Sequence, residues 1–206
     1  MGLCANVANT RLYVSDRHLI SQVTLGATEA AWINSVAGTE KYTVNEISGS
    51  QTSGMRDSTN GTAARYHEPR FVTIDSYDTF LYISDVGNYK IRRLTVNPNG
   101  VTGSSYLQVV TLASFSGGKE VNGIALKTDY SALFAAATDL HGIWKIPIQG
   151  VYPALTYPIP SANFEWLGHP AKTSGQLVDG AIASAKFYGP TALSIDDRER
   201  QFVSTR

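Results

Sequence analysis

LYISDVGNYKIRRL, residues 81–94, sets the fold, because weaker copies of it stand on both sides. Upstream lies RLYVSDRHLISQV, residues 11–23; downstream come ALFAAATDLHGIWKI, residues 132–146, and QFVSTR, residues 201–206. The internal copies each read as an apolar-rich strand, a short turn and a second strand. Aligned on the turn, Asp16, Asp85, Ala137 and Thr205 take the same place. Self-similarity recurring at some fifty to seventy residues signals a repeat architecture, in which each unit buries its faces against its neighbours.

Around the best copy, residues 71–74, 80–84, 90–96 and 106–112 read as four short strands. Four antiparallel strands per unit is the make-up of a propeller blade. Asp85-Val86-Gly87-Asn88 joins the second strand to the third: Asp and Asn bond nearby backbone amides, and Gly takes positive φ at no steric cost. Asn97-Pro98-Asn99-Gly100 ends in Asn-Gly, a strong hairpin signal, and closes the third strand onto the fourth. Asp85 and Asn88 are therefore read as turn formers rather than as a metal or catalytic pair.

A second motif recurs at the blade entrances. SGMRDSTNGTAARYHEPRFVTID, residues 53–75, is echoed by SGQLVDGAIASAKFYGPTALSID, residues 174–196. Both run Ser-Gly, then Asp57 or Asp179, then Ala-basic-aromatic-x-x-Pro, ending at Pro69 and Pro190. With Asp179-Gly180 and the stretch 81–93, these motifs resemble the NHL-repeat family of β-propellers. The resemblance implies an all-β chain of about three and a half four-stranded blades within a single segment, 1–206. The blades are expected at 1–38, 64–114, 118–168 and, incomplete, 185–206, with 39–63 as a loop insertion. The copy at 132–146 lacks the Asp and Asn of the turn, and the first copy lacks the Asn. NHL propellers are usually six-bladed, so the resemblance implies a partial ring, completed by further sequence or by a second copy. Unpaired blade edges of such an arc favour self-association.

Composition narrows the function classes. Seventeen basic residues balance seventeen acidic ones, which disfavours general affinity for nucleic acid or an anionic membrane surface. No apolar run approaches the ~20 residues that a membrane helix needs. Cys4 is the single cysteine, so no internal disulfide forms, and it reads as a small apolar thiol. His18, His67, His141 and His169 show no zinc spacing. Asp57, Asp75, Asp78, Asp179, Asp196 and Asp197 form no dense calcium array, and turn roles suit them better. Lys90 and Arg92 point one way along their strand, Ile91 and Arg93 the other, so they make no single basic patch. Trp32, Trp144 and Trp166 read as packing between blades. Asn60-Gly61-Thr62 is an N-glycosylation sequon, meaningful for an exported chain.

The functional expectation is a non-enzymatic scaffold that presents loops to a protein partner, with no catalytic residue, metal or cofactor expected. Arg56, Tyr66, His67, Arg70 and Tyr188 are the expected contact residues, because rigid elements commonly carry recognition on their connecting loops. The rival is a propeller hydrolase or lyase with an axial metal, for which Asn6, Asn122 and Asp129 are the nearest inner-strand groups. A third reading is a purely structural repeat. The setting expected is extracellular or cell-surface, within a longer protein.

Overall fold

The computed structural model describes residues 1–25, 43–97, 106–148 and 158–168, then 178, 180–181, 184–196, 198 and 200–205. Trp32, His169, Asp179, Asp197 and the turn at 98–100 lie outside the described residues.

Among these residues the chain is a succession of antiparallel sheets. The first holds β1 (Gly2–Ala5), β2 (Arg11–Asp16), β3 (Leu19–Thr24) and β4 (Thr43–Gly49) in that order. The second holds β5 (Pro69–Ile74), β6 (Phe80–Asp85), β7 (Lys90–Thr95) and β8 (Val109–Ser114). The third holds β9 (Val121–Leu126), β10 (Ala132–Ala137), β11 (Gly142–Pro147) and β12 (Glu165–Leu167). A hairpin of β13 (Pro190–Ile195) and β14 (Gln201–Thr205) follows. The sheets are arranged as blades of an open propeller-like arc, with the first strands β1, β5, β9 and β13 packed as successive neighbours. Asp16, Asp85, Ala137 and Thr205, aligned from the repeat, each end the second strand of their blade.

The period-two alternation of strands explains how one sheet serves two interfaces. From β6, Leu81 and Ile83 pack with Tyr13, Ile20 and Ile47 of the first blade, while Phe80 and Tyr82 pack with Ile124, Leu133 and Ala135 of the third. All six residues of β6 are buried, as expected for the middle of a stack with a neighbour on each face. A smaller cluster of Phe134, Ile143 and Leu167, with Phe187, Leu193 and Val203 against it, joins the third blade to the last hairpin. Trp144 and Trp166 meet edge to face at 4.7 Å between paired strands β11 and β12, which accounts for both as packing residues.

The first blade runs further than its expected end at residue 38. Thr43–Gly49, expected as part of an insertion, is its fourth strand and pairs with β3 along its length. The strand is hard to read because it is an outer one: Ile47 is buried while Val44 is 59% exposed, so the apolar alternation is incomplete. The connection behind it is also tied down, with Ser58 and Val109 exchanging backbone hydrogen bonds of 3.1 and 2.7 Å. That exchange extends the second blade by one bridge beyond β8.

Cys4 packs against the cluster between the first two blades. Burial, with the Asp78 carboxylate adding to it, pushes its thiol up to about 12 from an ordinary 9.0. A raised thiol pKa keeps the reactive thiolate scarce until the pH nears the new value. At pH 8 the folded chain is expected to react with Ellman's reagent roughly a thousandfold more slowly than the chain in denaturant. Equal rates in the two states would show Cys4 to be open.

Candidate functional site

Each inner strand begins where the connection from the preceding blade arrives, and the second strand returns to that same end. The entrance connections and the turns after β2, β6 and β10 therefore share one face of the arc. Four of the five expected contact residues are partly or well exposed on it, and the fifth is not.

The second blade shows how this face is held. Asp85 closes β6 and is buried, as is Arg92 two residues into β7's register, opposite Ile83. Asp85 Oδ2 accepts from Arg92 Nη1 at 3.0 Å and from Asn88 Nδ2 at 2.8 Å, and Asp85 Oδ1 accepts from the His67 backbone N–H at 2.8 Å. Arg92 Nη1 also donates to the Arg65 carbonyl at 3.3 Å, and Nη2 donates to the Arg56 carbonyl at 2.8 Å. Asp57 completes the cage, 2.6 Å from Arg92 Nη2 and accepting from the N–H and hydroxyl of Thr111. Asn88 Nδ2 donates to the Gly54 carbonyl at 2.8 Å. Burial pushes the Asp85 carboxyl upward, but its three donors, one a permanent cation, favour the carboxylate. The Asp–Asn–Arg pattern of LYISDVGNYKIRRL is thus a clamp on the entrance connection, gripping the backbone of residues 54, 56, 65 and 67.

Tyr66 requires a correction: it is fully buried, its ring 5.3 Å from the Arg92 guanidinium and its hydroxyl 2.8 Å from Ser48 Oγ. Burial raises its phenol pKa. An aromatic residue with both ring and hydroxyl engaged inside the protein anchors the loop and cannot present itself to a partner. The exposed residues are its neighbours. Arg56 and His67 are exposed, and Tyr188 is 44% exposed. Arg70 is half-buried, held by Glu68 at 3.1 Å and by Asn122 Oδ1 at 3.3 Å.

The seams between blades repeat one device. His18 Nδ1 accepts from the Glu68 backbone N–H at 3.4 Å, and the His18 and His67 rings stand 5.9 Å apart. Two blades on, His141 Nδ1 accepts from the Gly189 N–H at 3.0 Å, and its ring stacks on Tyr188 at 5.7 Å. In both, a histidine after the second strand of one blade receives the entrance of the next. His18 and His67 share one seam; His141 and Tyr188 share the other. The sequence places these histidines on turns and connections but carries no signal for their pairing, which depends on how blades abut.

Asn6, Asn122 and Asp129 do not converge. Asn122 lies on the entrance face, bonded to Arg70 and at 2.7 Å to Thr138 Oγ1. Asn6 and Asp129 belong to turns at the other end, where Asn6 Nδ2 donates to Asp78 at 2.8 Å and Asp129 accepts from the Ser131 N–H at 2.8 Å. Asp75 and Asp196 likewise accept from backbone N–H groups of their own turns. Among the described residues no three His, Cys, Asp or Glu side chains gather as a metal site. Arg93 is buried on the opposite side of β7 from Arg92, 4.3 Å from the Phe80 ring, so the two guanidinium groups serve different blade interfaces.

No protein-family model matches the sequence, and no curated protein is similar to it. Among solved structures, a protein of unknown function from Bacteroides thetaiotaomicron aligns with a TM-score of 0.60 at 14% identity, over 98% of this chain and 41% of that one. An auxiliary nutrient binding protein from the same organism aligns at 0.47 and 11% identity, over 100% of this chain and 52% of that one. A functionally unknown protein from Desulfotomaculum acetoxidans aligns at 0.46 and 12%, over 100% and 62%. The chain spans less than two thirds of the length of each. The first likeness shows the fold alone, and with the sheets described above it makes this chain a propeller-like module of four-stranded antiparallel sheets.

Proposed function

We propose that this chain is a non-enzymatic propeller module of NHL type, part of a longer protein, that binds a protein partner through its entrance face. The observation that carries the reading is the buried Asp85–Arg92 pair, with the half-exposed Asp57 as a second carboxylate; together with Asn88 the pair grips the backbone at residues 54, 56, 65 and 67, while the Arg56 and His67 side chains remain exposed. Side chains held on a fixed backbone lose less entropy on binding than those on a loose loop. Arginine and tyrosine are also the residue types that dominate interface energetics. Arg56, His67, Arg70 and Tyr188 are the contact residues of this proposal.

The test is affinity capture from the source organism with the native chain, with a variant carrying alanine at those four positions, and with a control carrying Tyr77→Ala and Arg198→Ala at the other end. A partner captured by the native chain and the control, and weakened about tenfold or more (~1.4 kcal/mol) by the four-site variant, supports the reading. Equal capture by all three, with unchanged circular dichroism, removes these residues from any interface.

A further inference from the structure

Asn60-Gly61-Thr62 is the one Asn-x-Ser/Thr triplet of the chain, and the proposed recognition face makes no use of it. Its geometry is that of an open acceptor. Asn60 caps a short 3₁₀ turn, Gly61–Ala63, with its side-chain Oδ1 accepting from the Thr62 N–H at 3.2 Å and from the Thr62 hydroxyl at 3.0 Å. Both donors engage the oxygen, so the amide nitrogen Nδ2 is the end left without a hydrogen bond among the described residues. Asn60 and Thr62 are exposed while Gly61 between them is buried. A Cβ on Gly61 would collide with the Ile47 carbonyl and stand 3.1 Å from Leu107 Cβ, so the centre of the triplet is pinned against the seam of the first two blades. The triplet is presented outward by a fixed backbone. It follows directly on Ser58, which pairs with Val109 of the outermost strand β8.

We propose that Asn60 is the acceptor of an N-linked glycan, carried on the outer circumference of the propeller beside the edge of β8. Asn60 Nδ2 forms a bond to the anomeric carbon of a lipid-linked oligosaccharide pyrophosphate. The bond from that carbon to the pyrophosphate oxygen breaks with its electron pair leaving on the phosphate, and one amide proton is released. No oxidant or reductant is involved. A bulky hydrophilic group at this position would stand over the bridge between Ser58 and Val109 and cover the outer rim of the second blade. The Oδ1 hydrogen bonds that cap the turn involve neither the attached nitrogen nor the buried Gly61, so the fold accepts the modification without rearrangement.

The experiment is secretion of the chain behind a cleavable leader from a glycosylating eukaryotic host. Intact masses of the native chain, Asn60→Gln, Thr62→Ala and Thr62→Ser are compared before and after peptide:N-glycosidase treatment. The expected result is one glycan on the native chain and on Thr62→Ser, released with conversion of Asn60 to aspartate, and none on the other two variants. Thr62→Ser keeps the hydroxyl and guards against misfolding as the cause of any loss. A secreted native chain with native circular dichroism and no glycan overturns the proposal. So does a glycan that persists in Asn60→Gln.

Discussion

Replacing Arg92 by alanine is expected to cost about 3–5 kcal/mol of stability, the range for breaking a buried ion pair by removing one partner. Both members of the Asp85–Arg92 pair are wholly buried, and Arg92 additionally serves two backbone carbonyls, Arg56 and Arg65, that lose their donor with it. Arg92→Lys is expected to recover little, because a single ammonium cannot reach both carboxylates and both carbonyls at once. The double variant Asp85→Asn with Arg92→Met is expected to be more stable than Arg92→Met alone, since no uncompensated buried charge remains. The third blade supports this expectation within the same chain: Ala137 and Trp144 occupy the register positions of Asp85 and Arg92, and that blade packs with aromatic contacts instead. Urea denaturation of the four variants measures the series. A loss below about 1 kcal/mol for Arg92→Ala would mean that the clamp contributes nothing beyond a surface pair.

Gly123→Val is expected to release the last hairpin from the third blade. A Cβ at Gly123 would lie 2.5 Å from Ala192 Cα and 2.8 Å from the Leu193 nitrogen, both backbone atoms of the neighbouring inner strand β13. No rotamer change relieves a conflict with backbone, so the strands must separate. Overpacking of a fitted core costs about 1–3 kcal/mol and more where nothing can yield, which places this variant at the upper end. Separation also breaks the hydrogen bonds from Thr138 Oγ1 to the Pro190 carbonyl at 2.6 Å and from the Gly189 N–H to His141 at 3.0 Å. Limited proteolysis is therefore expected to cut within β13–β14 in the variant while the first three blades stay resistant. Gly117→Asn is the control: its site has open space at φ +75°, a conformation that Asn tolerates, and a change within about 0.5 kcal/mol is expected. A hairpin as resistant in Gly123→Val as in the native chain would contradict the close approach of β9 and β13.

The proposals on function and on Asn60 fail separately. Loss of capture in the four-site variant concerns the entrance face, while the glycan concerns the circumference and is read by mass.

Blade number and order were legible in the amino-acid string, because a blade strand must alternate its apolar side chains between two neighbours and that alternation is written locally. LYISDVGNYKIRRL carried the turn, the strand boundaries to within a few residues and the opposite directions of Arg92 and Arg93. Depth and partnership emerged from the way the blades abut. Tyr66 and His67 are adjacent in a polar connection, and nothing in their immediate sequence tells that the Arg92 guanidinium and Ser48 lie over the first and that the second faces outward. Arg92 reads as a surface charge until a carboxylate, two carbonyls and a ring from other segments enclose it. The outer strand Thr43–Gly49 was hidden for the converse reason: an edge strand buries too few side chains to print its period, and its identity comes from the hydrogen bonds of β3 beside it.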